Sequence, residues 1–115
     1  MATEKLRRRA EFTRIYEQGT RFRCRFMTCF ALQNGLSGPR LGIAASRKIG
    51  NAVTRNRAKR RIRELFLARK PLKAIDIVVI PRREMVTAPW LSIEADYRSA
   101  LQRIDKGDAT SFARR

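Results

Sequence analysis

Phe12, Ile15 and Tyr16 in "EFTRIYEQG" stand at i, i+3 and i+4, the spacing of one helical face. Gly19 follows as a C-terminal stop, so a first helix is predicted from about Arg9 to Gln18. The period then changes to two. In "TRFRCRFMTCFAL", Phe22, Cys24, Phe26, Thr28, Phe30 and Leu32 fall on one side, and Arg21, Arg23 and Arg25 on the other. That alternation predicts strand, either two strands or one with a bend. "QNGLSGP" carries the turn residues Gly35, Gly38 and Pro39. "RLGIAASR" reads as the next strand, with Gly42 and Ala44 leaving room for something to lie close above them.

"KIGN" breaks that strand, and Asn51 is placed to cap a helix running to about Arg69, which Pro71 prevents from continuing. "AIDIVVI" reads as a buried strand ended by Pro81, followed by the loop "PRREMVTA". Pro89 suits the first position of a third helix. There Trp90, Ile93, Tyr97, Ala100, Leu101 and Ile104 form one apolar stripe. The order is α-β-β(-β)-α-β-α, for which one sheet with helices against it is the natural layered solution. We expect a single domain over 1–115, ordered from about 6 to 106, with "GDATSFARR" (107–115) as a flexible tail.

Charge changes the picture. The 115 residues hold 27 Lys and Arg against 10 Asp and Glu, a net charge of +17. An excess of that size repels itself in the compact state and favours polyanions, with nucleic acid the first candidate and an anionic membrane surface the second. No apolar run is long enough to span a membrane, and the charged opening "MATEKLRRRAEF" is unlike a secretory signal, so a cytoplasmic location is expected. Histidine is absent and the acids are scattered, which removes the usual means of general acid–base catalysis. Cys24 and Cys29 are too few for a structural zinc site and read as buried free thiols.

The charge is densest on the second helix. Between Arg55 and Arg63, "RNRAKRRIR", only Asn56, Ala58 and Ile62 are uncharged. Ala58, Ile62, Leu65 and Phe66 make the core-facing stripe, Asn56, Arg57, Arg60, Arg61 and Arg63 occupy the other side, and Arg55 and Lys59 flank it. Each like-charge pair at i, i+3 or i, i+4 costs about a few tenths of a kcal/mol. A solvated face normally mixes signs and this one does not. Arginine forks that match phosphate oxygens give the charge run its reason.

"RLGIAASRK" followed by "GNAVTRNRAKRRIRE" resembles the signature segment of the bacterial ribonuclease P protein component. "EFTRIYEQG" resembles the family's first helix and "DIVVIPR" its strand after the basic helix, so the likeness spans about Leu6 to Ile104. Ala44 and Ala45 stand where the family often has Ser and Val before Ser46, and Arg47 replaces a common Lys.

The resemblance implies an α/β two-layer sandwich, a four-stranded mixed sheet with a left-handed βαβ crossover. It also implies a role in removing the 5′ leader of precursor tRNA, with catalysis in the RNA subunit. Arg55, Asn56, Arg57, Lys59, Arg60, Arg61 and Arg63 would face ribonuclease P RNA. A cleft between the first helix and the sheet would hold the leader, with Phe12, Tyr16 and Phe30 on its wall and Ser46, Arg47 and Lys48 at its edge. Spacing alone puts the three aromatic residues in the core. The resemblance moves Tyr16 and Phe30 into the cleft and leaves Phe12 between the two. Mg²⁺ is expected to be held mainly by the RNA, since the chain offers no carboxylate cage. The protein itself is expected to be monomeric without RNA, with no membrane or small-molecule partner. The main rival is a ribosomal or nucleoid-type RNA-binding protein. A protein-only nuclease and an anionic-membrane binder rank below it.

Overall fold

A computed structural model describes residues 5–106; the expected tail at 107–115 lies outside the described residues. Helix α1 spans Arg9–Gln18, β1 Thr20–Arg23, β2 Met27–Gln33, β3 Arg40–Ile43, α2 Ala52–Ala68, β4 Ile75–Pro81 and α3 Trp90–Asp105. Two short 3₁₀ turns, Arg47–Ile49 and Arg83–Val86, precede α2 and α3. The second replaces part of the predicted loop.

The sheet order is β1-β2-β4-β3, with β1/β2 and β2/β4 antiparallel and β3/β4 parallel. Strands β3 and β4 are joined through α2, so the basic helix is the crossover of a βαβ unit in a mixed sheet. One sheet face, with Phe22, Met27, Cys29, Ala31, Ile77 and Val79, packs against Ile62, Leu65 and Phe66 of α2 and Ile93, Tyr97 and Leu101 of α3. Each fully buried side chain of this size contributes about 1.5–3 kcal/mol. On the opposite face α1 seats Ile15 over Val78, with Leu6 beside it.

The local signals explain the boundaries. Asn51 Oδ1 accepts from the Thr54 amide at 2.9 Å, capping α2 as predicted. Helix α1 ends where the Gly19 amide donates to the Ile15 carbonyl at 2.8 Å. Pro89 sits one position earlier than expected, as the N-cap of α3. The Arg40 guanidinium bridges the nearly buried Asp76 through two bonds of 2.8 Å and reaches Glu11 of α1 at 3.2 Å. This network ties α1 to the sheet.

The alternation read across 20–32 changes phase in the structure. Strands β1 and β2 form a hairpin in which Phe22 pairs with Cys29 and Arg23 with Thr28. Even-numbered residues of β1 therefore share a face with odd-numbered residues of β2. Phe22 and Cys29 enter the main core, whereas Thr28, Phe30 and Leu32 turn to the α1 face. The connection also moves Cys24 off the strand, where it is half-buried, while Cys29 is fully buried; both are free thiols. Upstream of α1, the Leu6 amide donates to the Leu41 carbonyl at 2.8 Å, laying the N-terminal segment along the outer edge of β3.

Candidate nucleic-acid interface

Two surfaces are built from the predicted residues. The first is the outer side of α2, a helix with six cations and a single acid, Glu64. Ala58, Ile62, Leu65 and Phe66 are buried against the core, which fixes the rotation of the helix and turns the charged side outward. Asn56, Arg57 and Arg60 line an open groove of about 500 Å³ with Val53, Thr54 and Val86. Around the helix, Lys59 and Arg63 line a second cleft of about 230 Å³ with Lys5 and Arg7 from the N-terminal segment. Spacing along the chain does not reveal those two residues, because only the strand-edge contact of Leu6 brings them there.

Arg55 and Arg61 are turned differently from the rest. The Arg61 guanidinium donates to the carbonyls of Met85 and Ala88, at 2.8 Å each, and so clamps the turn before α3. Arg55 donates to the Gly50 carbonyl at 3.1 Å. Gly50 has φ +151°, a conformation that L side chains rarely adopt, and Arg55 closes over the turn it makes. Both arginines therefore spend donors within the fold, whereas Arg57, Arg60 and Arg63 are exposed.

The second surface lies where α1 crosses the sheet. Tyr16 and Phe30 meet edge to face with ring centroids 5.0 Å apart, and Phe12 meets Tyr16 at 6.4 Å. Tyr16 is 37% exposed, whereas Phe12 and Phe30 are half-buried against Leu6, Ile15 and Val78. Phe12 reaches in because position 42 is glycine: a Cβ there would stand 2.8 Å from the Phe12 ring. Phe12 thus closes the inner end of the row, and Tyr16, between the two phenylalanines, is its exposed member. Burial pushes the Tyr16 hydroxyl up from its usual range, keeping it a hydrogen-bond donor.

The chain leaving β3 joins the two surfaces. Ala44 packs with the aromatic cluster, and Ala45 packs beneath the start of α2 with Ile49, Ala58 and Val86. Ser46, Arg47 and Lys48 follow, all exposed. Ser46 Oγ accepts from the Lys48 amide at 3.3 Å, and Arg83 Nη2 donates to the Lys48 carbonyl at 3.3 Å. Arg82, also unforeseen, donates to the Cys24 carbonyl and to Thr28 Oγ1, at 3.3 Å each. Its approach to the Phe30 face depends on the β2–β4 register, which single-sequence spacing does not reveal.

Among the described residues no three carboxylates or cysteines converge to hold a metal ion, so no chemical step is assigned to a metal on this chain. The arrangement supplies cations, rings and hydrogen-bond donors, the means of binding a polyanion with unpaired bases.

The family model for ribonuclease P matches residues 1–105. The chain belongs to the bacterial ribonuclease P protein family. A ribonuclease P protein component of Syntrophus aciditrophicus is 44% identical over 82 residues, covering 70% of this chain and 69% of that protein. The ribonuclease P protein from Thermotoga maritima superposes with a TM-score of 0.80 at 33% identity, over 87% of this chain and 96% of that one. The Staphylococcus aureus ribonuclease P protein gives 0.78 at 34% identity, over 88% and 94%. This chain is accordingly a protein component of the ribonucleoprotein ribonuclease P, and its partner there is RNA.

Proposed function

We propose that the outer side of α2 docks on ribonuclease P RNA and that the aromatic row beneath α1 holds the single-stranded 5′ leader of precursor tRNA. The RNA subunit then performs the cleavage. The observation that carries this reading is the join between the surfaces: the loop Ser46–Lys48 leads from the aromatic row to the capped start of the basic helix. A substrate held in the cleft would therefore lie beside the RNA held by α2.

Each bound phosphate releases counterions, so affinity for the RNA subunit falls steeply with salt. Stacking on Tyr16 and Phe30 adds about 1–3 kcal/mol per base, and mature tRNA, lacking a leader, forgoes it. Neutralised RNA charge lowers the Mg²⁺ that the ribozyme needs. The protein acts as a monomer until it meets RNA, in the cytoplasm.

The test is reconstitution of the chain with ribonuclease P RNA and precursor tRNA at low Mg²⁺. Leader release well above that of RNA alone is expected. Binding without stimulation would instead favour a ribosomal or nucleoid-type role.

A further inference from the structure

A groove of about 390 Å³ lies at the far end of α2, where the chain turns through Pro71 and passes the last turns of α3. Leu101 and Leu72 give it an apolar lining, and Arg69, Lys70, Arg98 and Lys106 line it with positive charge. The lining contains one carboxylate, Asp105, and its Oδ1 accepts from the Leu72 amide at 3.1 Å. That bond fixes the loop to α3 while the Leu72 side chain stands 86% exposed. The Arg98 guanidinium is held only loosely, 3.8 Å from Glu94.

Helix-end electrostatics account for part of this arrangement. Arg69 and Lys106 are the C-caps of α2 and α3, where cations are favoured by about 0.3–1 kcal/mol. They do not account for Arg98, nearly two turns before the end of α3, nor for a leucine held out in water beside four cations. The groove also continues the charged side of α2. Lys59 and Arg63 share one side of α2, and Arg69 and Lys70 follow where the chain leaves the helix. A 17-residue helix is about 25 Å long, so the cations extend beyond the "RNRAKRRIR" segment to this corner.

We propose that this groove is a second contact for the phosphate backbone of ribonuclease P RNA, with Arg98 and Lys106 as its phosphate ligands and Leu72 packed on a sugar or base. The inference rests on the RNA-docking reading of α2 given above. Charge complementarity selects a polyanion, and continuity along α2 selects the RNA already docked there. A bilayer would need more inserted apolar area than one leucine provides.

The test uses the full chain and ribonuclease P RNA, with affinity measured over a salt series. Arg98→Gln combined with Lys106→Gln should weaken binding about tenfold and lower the salt slope by about two units. Leu72→Ser should weaken binding by a few-fold with the slope unchanged. Wild-type affinity and slope in the double variant would overturn the proposal while leaving α2 docking intact. A wild-type chain that fails to bind the RNA would overturn the α2 reading itself. Phosphatidylglycerol vesicles and polyglutamate provide the contrast. Capture of either by the wild type and not by the double variant, with RNA affinity unchanged, would reassign the groove to that occupant and also overturn the proposal. Melting curves matching the wild type establish that the variants are folded.

Discussion

The basic side of α2 and the aromatic row under α1 solve different problems with different materials. The first is local: one helix carries the charge, one stripe anchors it, and its unmixed sign is visible in nine consecutive letters. The second is assembled from α1, β2, β3 and β4, with Phe30 and Gly42 far in sequence from Phe12 and Tyr16. Attraction to a polyanion tolerates small displacements, because charges act over about a Debye length. Stacking on a base does not. The cleft therefore needs a device that fixes α1 against the sheet, and the Arg40–Asp76–Glu11 network is that device.

The largest expected effect follows from removing it. Asp76 is 1% exposed and takes both strong bonds of Arg40 as well as one from Asn34. Asp76→Ala removes the carboxylate that holds the Arg40 fork, leaving Arg40 only its bond to Glu11 and Asn34 Nδ2 only its bond to the Gly38 carbonyl, at a cost of about 3–5 kcal/mol. Urea denaturation should show that loss, and a cost below about 1 kcal/mol would show that α1 is held by apolar contacts alone. Next comes a contrast within α2. Arg61→Ala frees two carbonyls and should cost about 1.5–3 kcal/mol of stability while leaving the salt slope of RNA binding unchanged. Arg57→Ala should do the reverse, keeping stability and flattening the slope by about one unit. Equal slopes for the two variants would mean that the bonds Arg61 makes within the fold do not keep it from docking.

Tyr16→Ala sharpens the comparison from the other side. It should cost about 1–3 kcal/mol of affinity for leader-bearing tRNA and nothing for mature tRNA. Matched losses for the two substrates would place Tyr16 outside the leader path.

Legibility in the sequence divides along the same line. Helix α1, the Asn51 cap, the α2 stripe and the α3 stripe were all visible, because capping and helical periodicity act within a few residues. The hairpin phase was not. Continuous alternation across 20–32 conceals a reversal, and only the pairing of Phe22 with Cys29 assigns Phe30 to the face under α1. The roles of Arg55 and Arg61 were equally hidden, since their partners are the carbonyls of a glycine turn and of the loop before α3. Arginine on a basic helix looks the same in sequence whether its fork meets a phosphate or its own backbone. The family signature carried the aromatic residues to a cleft that spacing alone would have placed in the core. Tyr16 is exposed and Phe12 is half-buried.

The smallest expected effect separates the two surfaces by pH. Glu11 accepts from the backbone amides of Arg8 and Arg7 and pairs with Arg40, and these bonds, led by that of Arg8, hold its carboxyl below the ordinary value of 4.5. A depressed folded-state value means that the ionised form stabilises the native state. That contribution is complete above pH 4.5 and is lost as pH falls below it through the folded-state value. The side chain is 29% exposed, so solvent screening keeps the effect small. Stability measured from pH 6 down to pH 3 should fall more steeply for the wild type than for Glu11→Gln, with the two curves converging at the acid end. Because Glu11 anchors α1 through bonds to Arg7, Arg8 and Arg40, affinity for mature tRNA and the RNA subunit at neutral pH should be unchanged in the variant, while leader discrimination weakens slightly. Parallel stability curves would show that the carboxylate contributes nothing to seating α1, and the positioning of the cleft would then rest on Arg40 and Asp76 alone.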